Sequence, residues 1–216
     1  MKAKSAVLGM AAAAAFSGAT TNVARAAACP VAGTTGAFTK PGFSCTVGDK
    51  LFSNFVYTDT GGGVPPGGVT VTPATSAGEI GLKFNAGWAA GAKTAADVTF
   101  SFKVATTNGA LISDAFLHID GVVGKVVDVE NISSGGKSVA GGTLTVTKAS
   151  SAATTFLMPP QSAITANDDI SIAAGGRVSD VTKEFSQVVP EPATLSLLGV
   201  GLGALGLVGI RRRKRH

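Results

Sequence analysis

Histidine, cysteine, tryptophan and charge are all scarce in this chain. Its 216 residues include two His, two Cys, one Trp and one Tyr, and only 14% are charged. His216 is the last residue, so His118 is the lone interior imidazole. A Cys- or His-based catalytic or metal site therefore lacks partners. There is no G-x-S-x-G nucleophile elbow and no H-E-x-x-H zinc motif. The loop Gly61-Gly62-Gly63-Val64-Pro65-Pro66-Gly67-Gly68 lacks the Gly-Lys-Ser/Thr ending and following helix of a phosphate loop. No D-x-D-x-D-G calcium pattern occurs. We therefore assign no catalytic residue, and we expect neither a cofactor nor a metal.

Basic residues are also missing where a nucleic-acid surface would need them. The formal net charge is +5, but Lys2, Lys4 and Arg25 lie near the N-terminus and Arg211, Arg212, Arg213, Lys214 and Arg215 at the C-terminus. Between Cys29 and Val189, ten Lys or Arg face twelve Asp or Glu. The body is slightly acidic, without a basic cluster, and the high pI reports the two ends of the chain.

Those ends read as targeting segments. Residues 1–28 have the form of a secretory signal peptide: basic Lys2 and Lys4, an apolar core from Ala6 to Phe16, and Ala26-Ala27-Ala28 as an A-x-A site. Cleavage after Ala26 and after Ala28 both fit. Cys29 directly afterwards raises a lipidated-cysteine reading, but no Leu stands three residues before it. Export into an oxidising compartment favours a disulfide between Cys29 and Cys45, closing a loop of about 15 residues.

The exported body, residues 29–188, is rich in Thr, Val, Ser and Gly and shows no sustained 3.6-residue apolar period. Asp97 to Ala105 alternates cleanly: Val98, Phe100, Phe102 and Val104 point one way, and Thr99, Ser101 and Lys103 the other. Thr106-Thr107-Asn108-Gly109 then makes a hairpin turn. Glu79 to Phe84 and Thr143 to Thr147 alternate too. Short strands are expected at Val69–Thr72, Leu111–Ile119, Val122–Val129, Thr154–Met158, Ile170–Ala173 and Val178–Val188. Asn85–Lys93, Asn131–Gly136 and Gly141-Gly142 read as connections, and Pro159-Pro160 as a strand end. The fold class is all-β, an antiparallel β-sandwich or jelly roll.

Candidate sites in the body are few. Trp88, among glycines, fits core packing and is also a candidate sugar contact. Asp168-Asp169, with Asp120, Asp128 or Glu130, could form a carboxylate pair for glycoside hydrolysis or bind Ca²⁺ through loop oxygens. His118 alternates with Phe116 and reads as a residue of a wet strand face. Thr70-Val71-Thr72 and Thr143 to Thr147 raise an ice-binding thought, without the repeat such a surface needs. Asn131-Ile132-Ser133 has the N-x-S form.

Residues 189–216 carry the most specific pattern. Val189-Pro190-Glu191-Pro192 precedes an uncharged run, 193–210, and then a basic stretch, 211–216. A helix of 18 residues spans roughly 27 Å, near a bilayer core, and the basic stop holds its end in the cytoplasm. Gly199 and Gly203 form a G-x-x-x-G within it, read mainly as the composition of such tails. The three parts together resemble the PEP-CTERM sorting segment of Gram-negative bacteria, which also closes some ice-binding proteins. The resemblance implies recognition of Pro190, Glu191 and Pro192 by an exosortase-type membrane transpeptidase. It further implies cleavage nearby, transient anchoring in the inner membrane, and passage to the surface or an exopolysaccharide matrix. The opening Cys29…Cys45-x-x-Gly-Asp-x-x-Phe-x-Asn-Phe-x-Tyr57 resembles that of exported PEP-CTERM proteins with β-sandwich bodies. The expectation is a non-enzymatic surface or matrix protein, with a carbohydrate-binding module as the alternative from another class and a hydrolase behind it.

Overall fold

The protein was analysed as a computed structural model that describes residues 26–76 and 78–188. Thirteen strands carry the body: β1 (Gly33–Thr34), β2 (Ser44–Val47), β3 (Lys50–Thr60), β4 (Thr70–Ser76), β5 (Glu79–Ala89), β6 (Ala96–Thr106), β7 (Leu111–Asp120), β8 (Val126–Ser134), β9 (Lys137–Thr147), β10 (Ala152–Gln161), β11 (Ala163–Ile172), β12 (Arg177–Phe185) and β13 (Gln187–Val188). One helical turn, α1 (Thr35–Phe38), sits between β1 and β2. The antiparallel ladder runs β1-β4-β5-β12-β7-β10-β9-β8-β11-β6-β3-β2, with β13 added to β7. It curls into two facing layers. β9 and β10 join them through the Met158–Ala140 pair. This is the all-β antiparallel sandwich expected from the alternating pattern.

The core follows from that alternation. On β6, Val98, Phe100, Phe102 and Val104 are all at most 3% exposed. Phe84 from β5 stacks across the gap on Phe100, ring centres 4.6 Å apart, and Phe102 meets Phe185 of β12 edge-on at 6.3 Å. Phe38 of α1 plugs one end, edge-on to Phe55 at 5.0 Å. Burying one such ring contributes roughly 1.5–3 kcal/mol, so this aromatic row is a main apolar contribution to the fold. The Cys29–Cys45 disulfide ties the leading segment to β2 beside that plug. Both cysteines are buried, at 7% and 1% exposure. With its sulfur in the disulfide, Cys29 has none left for a lipid thioether.

Several boundaries depart from the sequence expectation, each for a local reason. β5 runs on through Trp88, because Gly87 adopts φ +63° and absorbs a bulge opposite Ser179. Asn131–Ser134 belongs to β8, where β11 supplies the ladder partners that weak strand formers need. β9 passes through Gly141-Gly142. A Cβ on Gly141 would lie 2.2 Å from the Phe156 carbonyl oxygen, so only glycine lets β9 and β10 approach here. β10 continues through Pro159-Pro160, a stretch where neither proline has a ladder partner to lose.

Residues 1–25 and 189–216, and with them most of the expected signal peptide and the whole expected 193–210 span, lie outside the described residues. Among the described residues, no helix is long and apolar enough to cross a membrane. The double variant C29S/C45S should lose about 3 kcal/mol, the loop-closure contribution of a bridge across about 15 residues. Denaturant unfolding of variant and parent measures this, and a difference under about 1 kcal/mol would show the disulfide to be incidental to stability.

Candidate functional site

Strand alternation sends four ionisable side chains into the gap between the layers. On β8, Asp128 and Glu130 share the inward face with Val126 and Ile132. On β11, Asp168 lies between the inward residues Ala166 and Ile170. On β12, Lys183 lies between Val181 and Phe185. Asp128, Glu130 and Lys183 are 0% exposed and Asp168 is 3% exposed. The ladder sets Asp168 directly opposite Glu130 and Ile170 opposite Asp128. Lys183 crosses from the opposite layer, donates a hydrogen bond to Asp168 and sits 3.3 Å from Glu130 Oε1. Its ammonium also stands 5.5 Å from the centre of the Phe100 ring.

The charges do not balance. Fully ionised, three carboxylates would face one ammonium in a water-free gap, and uncompensated buried charge costs several kcal/mol. Protons are the remedy. Burial raises the Asp168 carboxyl well above its ordinary range, against the opposing pull of Lys183. Burial likewise raises Glu130. Burial, only partly offset by Lys183, lifts Asp128 to about 7. Burial pulls Lys183 down, but Asp168, Glu130 and Asp128 together outweigh it and its affinity for a proton rises. No donor reaches either oxygen of Asp128 among the described residues. One of the Asp168 oxygens likewise has no partner among the described residues.

The other expected sites are not assembled. Asp168, Asp128 and Glu130 do come together, but at 0–3% exposure they are enclosed between the layers and line no open cleft. Asp169 points to the outer face, where burial and then the neighbouring Asp97 raise its carboxyl. Asp120 is at an exposed strand end and hydrogen-bonds the Gly121 amide at 2.8 Å. Among the described residues, no group of three or more His, Cys, Asp or Glu is arranged to hold a metal ion. Trp88, a candidate sugar contact, is 0% exposed. Its ring stacks on Phe100 at 6.4 Å and its indole N–H donates to the Tyr57 hydroxyl at 2.9 Å, so no face is left for a sugar. His118 stacks on Phe116 at 6.3 Å on the outer face of β7. The two Thr tracts fall on β9 and β4, in opposite layers, and make no common array. Asn131 lies in a strand, where its side chain accepts a hydrogen bond from Thr143 at 3.1 Å.

A second polar cluster holds the end of the domain. Lys50, 1% exposed, donates to Asp49 at 3.0 Å and to Gln187 of β13 at 3.1 Å. Gln187 returns a hydrogen bond to Asp49, and Asn108 adds another at 3.0 Å. Burial would raise the Asp49 carboxyl, but the hydrogen bond and charge of Lys50 and the bond from Gln187 outweigh it and hold it low. Next door, the Ser186 amide donates to Asp114 at 3.0 Å. The chain is thus clamped immediately before the Pro190-Glu191-Pro192 motif, which lies outside the described residues, as do Arg211 to Arg215.

The tail defines a class first: residues 188–214 match the family model of the PEP-CTERM protein-sorting motif. The chain thus carries a PEP-CTERM protein-sorting motif, the mark of exosortase-dependent sorting of exported proteins. No curated protein matches the sequence. A solved structure, TmCBM61 in complex with beta-1,4-galactotriose, is similar over 64% of this chain and 90% of that one, at 14% identity and a TM-score of 0.35. A likeness that slight transfers neither ligand nor fold.

The buried carboxyls make stability fall as pH rises. Asp128 binds its proton more tightly folded than unfolded, so folding is favoured at low pH. That advantage is lost between its ordinary value of 3.8 and about 7. The variant D128N should flatten this slope and melt several degrees higher than the parent at pH 8. Thermal melts from pH 4 to 8 measure both. A parent that gains stability across that window would contradict the assignment.

Proposed function

We propose that this protein is a non-enzymatic structural component of the cell surface or exopolysaccharide matrix. An N-terminal signal peptide exports it, a helix over 193–210 with the basic stop Arg211–Arg215 holds it transiently in the inner membrane, and an exosortase-type transpeptidase reads Pro190, Glu191 and Pro192. The observation that carries this reading is the PEP-CTERM match at residues 188–214, directly after a clamped domain end. Supporting the non-enzymatic part, the three acids that converge in the body do so where no substrate can reach them. A catalytic carboxyl pair must instead flank a bound substrate. Proline disfavours helical backbone in the residue before it, which suits Glu191 to a sequence read by another enzyme.

Mature protein from surface fractions should end near Pro190-Glu191-Pro192 by mass spectrometry. In cells lacking the transpeptidase, or in the variant E191A, the 211–216 segment should be retained. An intact His216 in surface material of the parent would overturn the processing.

A second reading, contact with matrix polysaccharide, has one observation in its favour. Phe156 is 71% exposed on β10, beside the Phe116–His118 stack on the same outer face. Exposed aromatic faces suit stacking on sugar rings. Sedimentation with the organism's own exopolysaccharide tests this: F156A should lose most retention, and equal retention of F156A and parent would end the reading.

A further inference from the structure

We propose that Lys183 and Asp168 join in an intramolecular amide bond, formed by the folded protein without outside help and tying the two layers of the sandwich covalently together.

The argument starts from an excess. A single ion pair across the gap would need one carboxylate for Lys183. This protein provides three, all buried, and each further buried acid is a cost that a purely structural pair does not require. Condensation of an amine with a carboxylic acid has a use for each of them. One carboxyl is consumed, a second must move protons, and a third stabilises the charge that develops on the reacting carbonyl. The four groups occupy those places. Lys183 Nζ is in contact with Asp168. Glu130 Oε1 lies 3.3 Å from the same nitrogen. Asp128 enters the same gap one inward position along β8 from Glu130, with no donor on its oxygens among the described residues.

The environment supplies what water denies. In solvent, ammonium and carboxylate are hydrated and do not react. Here both are stripped of water, so no solvent shell shields the carboxyl, and the Lys183 ammonium has Glu130 in contact to take its proton. Both are also fixed in contact by the strand ladders, and such fixed pairs react as if at about 10⁵ M or more.

The step balances without an oxidant or co-reactant. Glu130 takes a proton from the Lys183 ammonium, and the free amine attacks Cγ of Asp168. A proton held by Asp128 hydrogen-bonds to the carbonyl oxygen as negative charge builds there. A new Nζ–Cγ bond forms and one Cγ–O bond breaks. The departing oxygen receives two protons that began on the ammonium, passed through Glu130, and leaves as water. Two charges vanish from the core, and Glu130 and Asp128 end as they began. No electron is transferred.

Peptide mapping of the full chain, purified folded and then reduced, tests this independently of how the tail is processed. Trypsin cuts after Arg177 but not after an acylated Lys183. The expected result is one branched peptide that joins the fragments containing Asp168 and Lys183 and weighs about 18 Da less than their sum, the mass of one water. The variant D168N should give the same branched product, because an amide side chain would expel ammonia instead of water. E130Q should fold, by circular dichroism, yet stay unlinked or link at least tenfold more slowly. Cleavage after Lys183 in the folded parent, with the Asp168 peptide at full mass, would overturn the proposal. So would a loss of about 18 Da mapped to any other residue pair. The parent map decides the question even if E130Q fails to fold.

Discussion

As the sandwich closes, an ammonium group entering its dry gap must be answered by negative charge from the facing layer, and that requirement fixes how β8, β11 and β12 lie against one another. Lys183 reaches across the gap to acids whose strands are paired in a single register, Asp168 against Glu130. A slip of one residue in β11 would turn Asp168 outward and put Asp169 or Asn167 in its place. The apolar rows of β5 and β6 tolerate exchange of one hydrophobic side chain for another far better than this site tolerates a displaced charge. Phe100 belongs to both systems: it stacks on Phe84 and Trp88 and presents its ring to the Lys183 ammonium. The aromatic row and the ionic cluster therefore make one continuous core.

Two means of closure act at opposite ends of the sequence. The Cys29–Cys45 bridge restrains the first strands and seats Phe38 against Phe43 and Phe55. The Lys183 cluster restrains the last long strand. β12 runs down the middle of its layer, between β5 and β7, although it is nearly the last segment made. Much of the buried area thus depends on contacts distant in sequence, an arrangement that goes with slow, late closure.

Sequence alone revealed the strands whose inward residues are all apolar. Val98, Phe100, Phe102 and Val104 announce both the strand and its dry face. Lys183 stayed hidden because a lysine in a strand is read as solvent-facing, yet its spacing between Val181 and Phe185 was the signal. Asp128 and Glu130 follow Val126 at the same two-residue spacing, and Asp168 lies between Ala166 and Ile170. The acids were legible as chemistry-bearing residues but not as neighbours, since their meeting depends on the β8–β11 register and on the facing layer. Trp88 misled for the opposite reason. Glycines around it resemble a loop, whereas Gly87 only bends a strand whose ring is already inside. The sorting motif needed no fold to be recognised, being a linear pattern read by a foreign site.

The clamp of Lys50, Asp49 and Gln187 leaves little slack in the chain. Val188 is the last residue of β13, and only Val189 separates it from Pro190. Fully stretched, the two residue steps from Val188 to Pro190 reach about 7 Å. A protease or transpeptidase that reads this motif must therefore work against the flank of a folded body, with almost no stalk between them. Access becomes a question of fit between two surfaces: the rim formed by the β2–β3 turn, Asn108 and β13 on one side, and the mouth of the enzyme on the other. Sorting would then inspect the folded state as well as the motif, because a chain that failed to seat Gln187 would offer the same three residues on a longer and looser tether.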